Sequence, residues 1–97
     1  MQDCTGWIVL AQAGRDKGGV FCVVGAEEGR LLLADGKRRR VSRPKRKKPG
    51  HVRALDRAGF DHPAMEKLKE GKPVSDRELR RALAAFQGGN HAWRKTI

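Results

Sequence analysis

The chain has 97 residues, of which 34% are charged and only 5% aromatic, and its formal net charge is +11. This length fits one small domain, and the longest apolar runs are far shorter than the roughly 20 residues that cross a membrane. So many uncompensated cations favour a polyanionic partner, while the scarcity of aromatic rings argues against a surface that stacks several bases.

Three apolar segments separated by glycine-containing turns predict the first strands. They cover residues 6–11, 20–24 and 31–34, and the turns cover residues 14–18 and 25–29. Asp35-Gly36 is a dipeptide that favours a two-residue hairpin, so residues 37–42 are predicted to pair back on the third strand. Short strands at this spacing predict a mainly β fold, a small barrel whose closure removes exposed strand edges.

A dense run of cations, without any acidic residue, follows the third predicted strand. Its members are Lys37, Arg38, Arg39, Arg40, Arg43, Lys45, Arg46, Lys47 and Lys48. Residues 43–50 carry too much charge and proline to pack, which predicts a basic arm that is extended or disordered without a partner. Residues 1–53 carry +8 and residues 54–97 carry +3. We therefore expect the first half to bind a nucleic-acid backbone.

The periodicity changes to a helical one in the second half of the chain. Pro63 suits the start of a helix over residues 63–71, and Ser75 with Glu78 forms a capping box for a second helix over residues 75–87. The second helix repeats apolar residues at helical spacing, namely Leu79, Ala82, Leu83 and Phe86. The predicted organisation is thus a barrel over residues 1–50, with the arm at 43–50, and a helical appendage over residues 51–97. The role of Trp93 stays open.

Catalytic and metal-binding patterns do not emerge from the sequence. Cys4 and Cys22 lack the paired spacing of metal ligands, and no serine or cysteine has an evident neighbouring base. We expect no cofactor, no metal and no enzymatic activity, with Cys22 as a small core residue. The first cations follow the first apolar run, which is the reverse of a secretory signal, so the expected location is cytoplasmic.

Residues 14–24, a glycine-centred turn followed by an apolar strand, resemble the KOW motif. Residues 33–36 and 39–41 resemble KOW-domain RNA-binding proteins related to a large-subunit ribosomal protein group of archaea and eukaryotes. The resemblance spans residues 6–51 and implies an SH3-like barrel that contacts ribosomal RNA, with ribosomal proteins as possible neighbours. It places Gly18 at the characteristic glycine and Arg15 and Lys17 on the RNA-contacting loop. It also aligns five cations with the family's basic strand and tail, namely Arg39, Arg40, Arg43, Lys45 and Arg46. Cys22 departs from the larger apolar residue expected there.

The preferred interpretation is a non-catalytic RNA-binding protein, with ribosomal RNA as the expected partner. Two alternatives stay open at this point. In the first, the two predicted helices form a helix-turn-helix unit that inserts Arg77, Arg80 and Arg81 into a DNA groove. In the second, an SH3-like module binds an acidic protein, although the chain has few of the aromatic residues that enrich such interfaces.

Overall fold

The computed structural model describes residues 4–89, which form a five-stranded antiparallel sheet and two helices. The strands are β1 (Ile8–Ala11), β2 (Val20–Glu27), β3 (Arg30–Ala34), β4 (Lys45–Lys47) and β5 (Val52–Asp56), and the helices are α1 (Pro63–Lys69) and α2 (Asp76–Gly89). The strand order across the sheet is β4-β3-β2-β1-β5. The fold is mainly β, as the sequence predicts. Trp93 lies outside the described residues. Within residues 4–89, no helix is long and apolar enough to cross a membrane.

Both faces of the central strands are buried, which explains why their sequences are continuous apolar runs. Ile8 and Cys22 are paired in register and belong to a cluster that also contains the apolar residues of the helices. Their neighbours Val9 and Phe21 are also paired and belong to a second cluster with residues of β3. Successive side chains of a strand point to opposite faces, so a strand buried on both sides lacks the alternation of a half-exposed one.

The two helices begin at the side-chain caps that hold their first turns. His62 Nδ1 accepts a hydrogen bond from the Ala64 N–H at 3.1 Å, and Pro63 occupies the first turn of α1. At α2, the Glu78 N–H donates to Ser75 Oγ and the Ser75 N–H donates to Glu78 Oε1, at 3.1 and 3.0 Å. The predicted capping box is confirmed. The hydrogen bond from Lys67, followed by that from the Ser75 backbone, holds the pKa of Glu78 below its usual value.

The helices and the sheet share one core cluster. Met65 of α1 and Leu79 and Phe86 of α2 are fully buried in the cluster that contains Ile8 and Cys22. Burial, with a smaller contribution from the nearby Asp35 carboxylate, raises the pKa of the Cys22 thiol to about 12. Cys22 is therefore the small core residue that the sequence predicts, and its thiol is protonated at neutral pH.

The prediction of a strand over residues 37–42, joined by a two-residue turn, is wrong. β3 pairs instead with β4, so that Leu33 lies opposite Lys45 and Leu31 opposite Lys47. Residues 35–44 form a loop between these strands, hereafter the basic loop. The Asp35 side chain stabilises this loop by accepting hydrogen bonds from two backbone N–H groups. These bonds favour the loop conformation over a tight two-residue hairpin.

The arm predicted at 43–50 as extended or disordered, and the helical appendage predicted over 51–97, each contribute a strand to the sheet. Lys45–Lys47 is a strand, and Pro49–His51 forms a single 3-10 turn. Val52–Asp56 pairs with β1 as the fifth strand of the sheet, although it lies in the segment assigned to helices. Residue 50 therefore does not separate sheet from helices, and the same core extends across it.

Candidate nucleic-acid interface

The turn between β1 and β2 displays two of the predicted RNA-contacting cations. The Gly18 N–H donates to the Ala11 carbonyl at 2.8 Å, which closes the turn at the end of the first strand. Arg15 and Lys17 are exposed. Gly18 has φ +89°, and a Cβ there would meet no atom within 4 Å. Its backbone conformation, and not a lack of space, is therefore what favours glycine at this position.

Asp16, between these two cations, points inward and forms an ion pair with the basic loop. The Arg39 guanidinium donates to both of its carboxylate oxygens, with Nε–Oδ1 at 3.3 Å and Nη2–Oδ2 at 3.1 Å. The Asp16 side chain is 6% exposed and that of Arg39 is 32% exposed. This bidentate pair fixes the basic loop against the β1–β2 turn. Arg39 is thus engaged within the protein, unlike its neighbours in the sequence.

The basic loop has a defined backbone that turns its other cations outward. Asp35 Oδ1 accepts from the N–H groups of Lys37 and Arg39 at 2.9 and 2.8 Å. The Arg39 carbonyl accepts from the Asp35 and Gly36 N–H groups in return. Four predicted site residues on this loop are exposed, namely Lys37, Arg38, Arg40 and Arg43.

Helix α2 holds the basic loop from the other side. Asp76 Oδ1 accepts from the Val41 N–H at 2.7 Å, and Arg80 Nη1 donates to the Gly36 carbonyl at 2.7 Å. Val41 also packs against the core cluster shared by sheet and helices. The sequence predicts a role for Arg80 only in the DNA-binding alternative, since no local pattern indicates its contact with Gly36, 44 positions away.

An open groove of about 530 Å³ lies where these three segments meet. Its cationic lining consists of Lys17 from the β1–β2 turn, Lys37 and Arg38 from the basic loop, and Arg80 from α2. Asp35 also lines the groove, and its carboxylate is occupied by backbone N–H groups. Cations distant in sequence are therefore gathered around one concave surface, where their fields add.

The remaining predicted site residues lie on or beside β4 and differ in their surroundings. Lys45 and Lys48 are exposed, Arg46 forms an exposed ion pair with Glu27, and Lys47 is buried. A second groove, of about 560 Å³, borders this strand and includes Arg43, Lys45 and Arg46. The cationic surface thus continues from the first groove, along the basic loop, to the edge of the sheet.

The Asp16–Arg39 ion pair gives a prediction about stability. Arg39→Met is expected to lower the free energy of unfolding by about 2 kcal/mol, because it leaves the buried Asp16 carboxylate without its partner. The adjacent Arg38→Met, which removes an exposed cation of the same loop, is the matched control and should have little effect. Urea denaturation of both variants measures the difference. Equal stabilities would contradict a structural role for Arg39.

Comparison with known proteins does not assign a family or a function to this surface. No protein-family model matches the chain, and no curated protein matches it at a significant level.

Proposed function

We propose that this protein is a non-catalytic RNA-binding protein whose partner is a structured RNA, and specifically ribosomal RNA in the cytoplasm. The observation that carries the proposal is the fixation of the basic loop by Arg39, Val41 and Gly36, each of which contacts a different residue of the turn or of α2. These contacts use the inward side of the loop. Its outward side keeps a set of exposed cations in a fixed arrangement, which suits a partner with phosphates in a fixed arrangement.

We further propose that the sheet is an SH3-like barrel of the KOW type. The position of Gly18 supports this, since it lies in a glycine-centred turn between two paired strands and has a positive φ. The burial of β1 and β2 on both faces also suits a strongly curved sheet. The resemblance noted in the sequence then implies that Arg15 and Lys17 contact RNA, and both are exposed.

Contact with the RNA backbone accounts better for this surface than the stacking of bases. Trp7 packs beside the cluster of β-strand residues, and the Arg57 guanidinium lies 5.3 Å from its ring centroid. Phe21 and Phe86 are fully buried. Affinity would then come from charge, and specificity from the match between the spacing of the cations and the folded shape of the RNA.

The DNA-binding alternative has less support from the geometry. A recognition helix presents its polar side chains to a groove, whereas Arg80 of α2 donates to a carbonyl of the basic loop. The first turn of α2 is likewise covered, because Asp76 accepts a hydrogen bond from Val41. Arg77 and Arg81 are exposed. The binding experiment below therefore includes duplex DNA, which tests whether these two residues bind it.

The test is a salt titration of binding to three ligands of equal length: a folded ribosomal RNA fragment, single-stranded RNA and duplex DNA. The folded RNA is expected to bind most tightly, with log K falling against log salt with a slope of about −3 to −5 for four to six phosphate contacts. Co-sedimentation with ribosomal subunits at low salt, and release at high salt, would identify the RNA. Duplex DNA bound as tightly as folded RNA, or no binding to any of the three, would overturn the proposal.

A further inference from the structure

Lys47 is a buried cation at the end of β4. Only 6% of the residue is exposed. It lies opposite Leu31 in the antiparallel pair, and opposed residues share a face of the sheet, so its aliphatic stem covers the cluster that contains Leu31 and Leu33. Its Nζ reaches the β1–β2 turn, where a Cβ built on Gly14 would lie only 3.2 Å from it.

The Lys47 ammonium has no ion-pair or hydrogen-bond partner within residues 4–89. Three other lysines of this part of the chain do have a carboxylate, since Lys67, Lys69 and Lys72 pair with glutamates. Burial of most of the side chain removes part of the hydration of this charge without replacing it, which is unfavourable. An anion supplied from outside the chain would compensate it.

A cavity of about 260 Å³ adjoins this ammonium and is bordered by further basic groups. Its lining includes Gly14, Arg30, Lys45, Lys47, Lys48 and His51. No acidic residue of the described chain lines it. The His51 carbonyl accepts from the Gln12 N–H at 2.8 Å, and its own N–H donates to the Lys48 carbonyl at 2.9 Å. These backbone bonds hold the rim of the cavity to the end of β1.

We infer that this cavity, hereafter the Lys47 pocket, binds a single phosphate group of the RNA backbone. The inference rests on the proposed function and gives it a defined anchoring point outside the groove lined by Lys17, Lys37 and Arg38. The Lys47 ammonium faces this cavity from a largely buried side chain, and a phosphate there would meet it where less water screens the attraction than at a fully exposed lysine. Arg30 and Lys48 lie at the exposed rim and neutralise the remaining charge.

The experiment compares the wild type with Lys47→Met, which keeps an unbranched apolar stem and removes the charge. Inorganic phosphate, exchanged for chloride at constant ionic strength, is expected to raise the melting temperature of the wild type by about 3 °C or more. Lys47→Met should lose this shift, and should be at least as stable as the wild type without phosphate. The matched control is Lys72→Met, an exposed lysine elsewhere, which should keep the shift.

The same variants are then titrated with the folded RNA. Lys47→Met should bind about 5- to 10-fold more weakly, with a salt slope smaller by about 0.7 to 0.9, as expected for the loss of one phosphate contact. If Lys47→Met fails to fold, the rim variant Arg30→Met with Lys48→Met takes its place, and it should reduce both the phosphate shift and the salt slope.

The outcomes separate the two proposals. A phosphate shift that is missing in the wild type or retained in the variants overturns the Lys47 pocket, even if the wild type binds RNA. If the phosphate shift depends on Lys47 but the protein does not bind RNA, the Lys47 pocket binds a free anion. In that case both the proposed function and the assignment of the RNA backbone as the ligand of the pocket are overturned.

Discussion

Replacing Lys17, Lys37 and Arg38 together with glutamate should lower the affinity for folded RNA by about 100-fold or more, while the melting temperature changes little. These side chains line the groove from two separate segments, and none of them forms an ion pair within residues 4–89. Their reversal turns attraction to phosphate into repulsion without disturbing the core. Fluorescence anisotropy at fixed salt and a thermal melt give the two quantities.

The matched control reverses three exposed cations elsewhere, namely Arg53 on β5, Lys72 between the helices and Arg77 on α2. It changes the net charge equally but leaves the groove intact, so only a few-fold loss of RNA affinity is expected from the weaker long-range field. An equal loss in both proteins would mean that total charge, and not the groove, determines binding. A larger loss in the control would place the RNA-binding surface outside the groove.

Gly36→Val should be the most destabilising single substitution in the basic loop, with a loss of about 3 kcal/mol or more in the free energy of unfolding. Gly36 has φ +77°, and a Cβ there would lie 2.2 Å from the Asp76 carbonyl oxygen at the start of α2. Backbone cannot move aside as a flexible side chain can. The loop would separate from α2 and lose the hydrogen bond from Arg80, so RNA affinity should fall together with stability.

Gly18→Val is the control, because it shares the positive φ but not the collision. A Cβ at Gly18 meets no atom within 4 Å, so only backbone strain, about 1 to 2 kcal/mol, is expected. Urea denaturation of both variants separates the two effects. If Gly36→Val were no less stable than Gly18→Val, the contact between the basic loop and α2 would not exist as described.

The elements that depend on local signals are the ones the sequence predicts well. The second helix is marked by a capping box and by apolar residues at helical spacing, both of which act within a few residues. β1, β2 and β3 are marked by apolar runs between turns. The sequence does not predict β4, because Lys45–Lys47 contains no apolar side chain and joins the sheet through backbone pairing and the stem of Lys47. The pairing of β5 with β1 spans more than 40 residues and has no local signal.

The sequence predicts which residues form the site, but not the role of each residue. Charge density alone selects the run from Lys37 to Lys48, yet Arg38 is exposed while the adjacent Arg39 pairs with a buried aspartate. That difference arises from the turn set by Asp35 and from a partner 23 residues earlier in the chain. The burial of Lys47 likewise follows from strand register, which a run of lysines and arginines does not specify.

Because β1, β2, β3 and the helices share one core, the order of synthesis affects when that core can form. Ile8 and Cys22 are synthesised well before Leu79 and Phe86, which complete the same core cluster. At about 5 to 20 residues per second, the interval between Lys47 and Phe86 lasts roughly 2 to 8 seconds. Throughout it, the nascent chain carries its full run of cations beside uncovered apolar strands. This core can therefore be completed only after Phe86 has been synthesised, when the run of cations is already present in the chain.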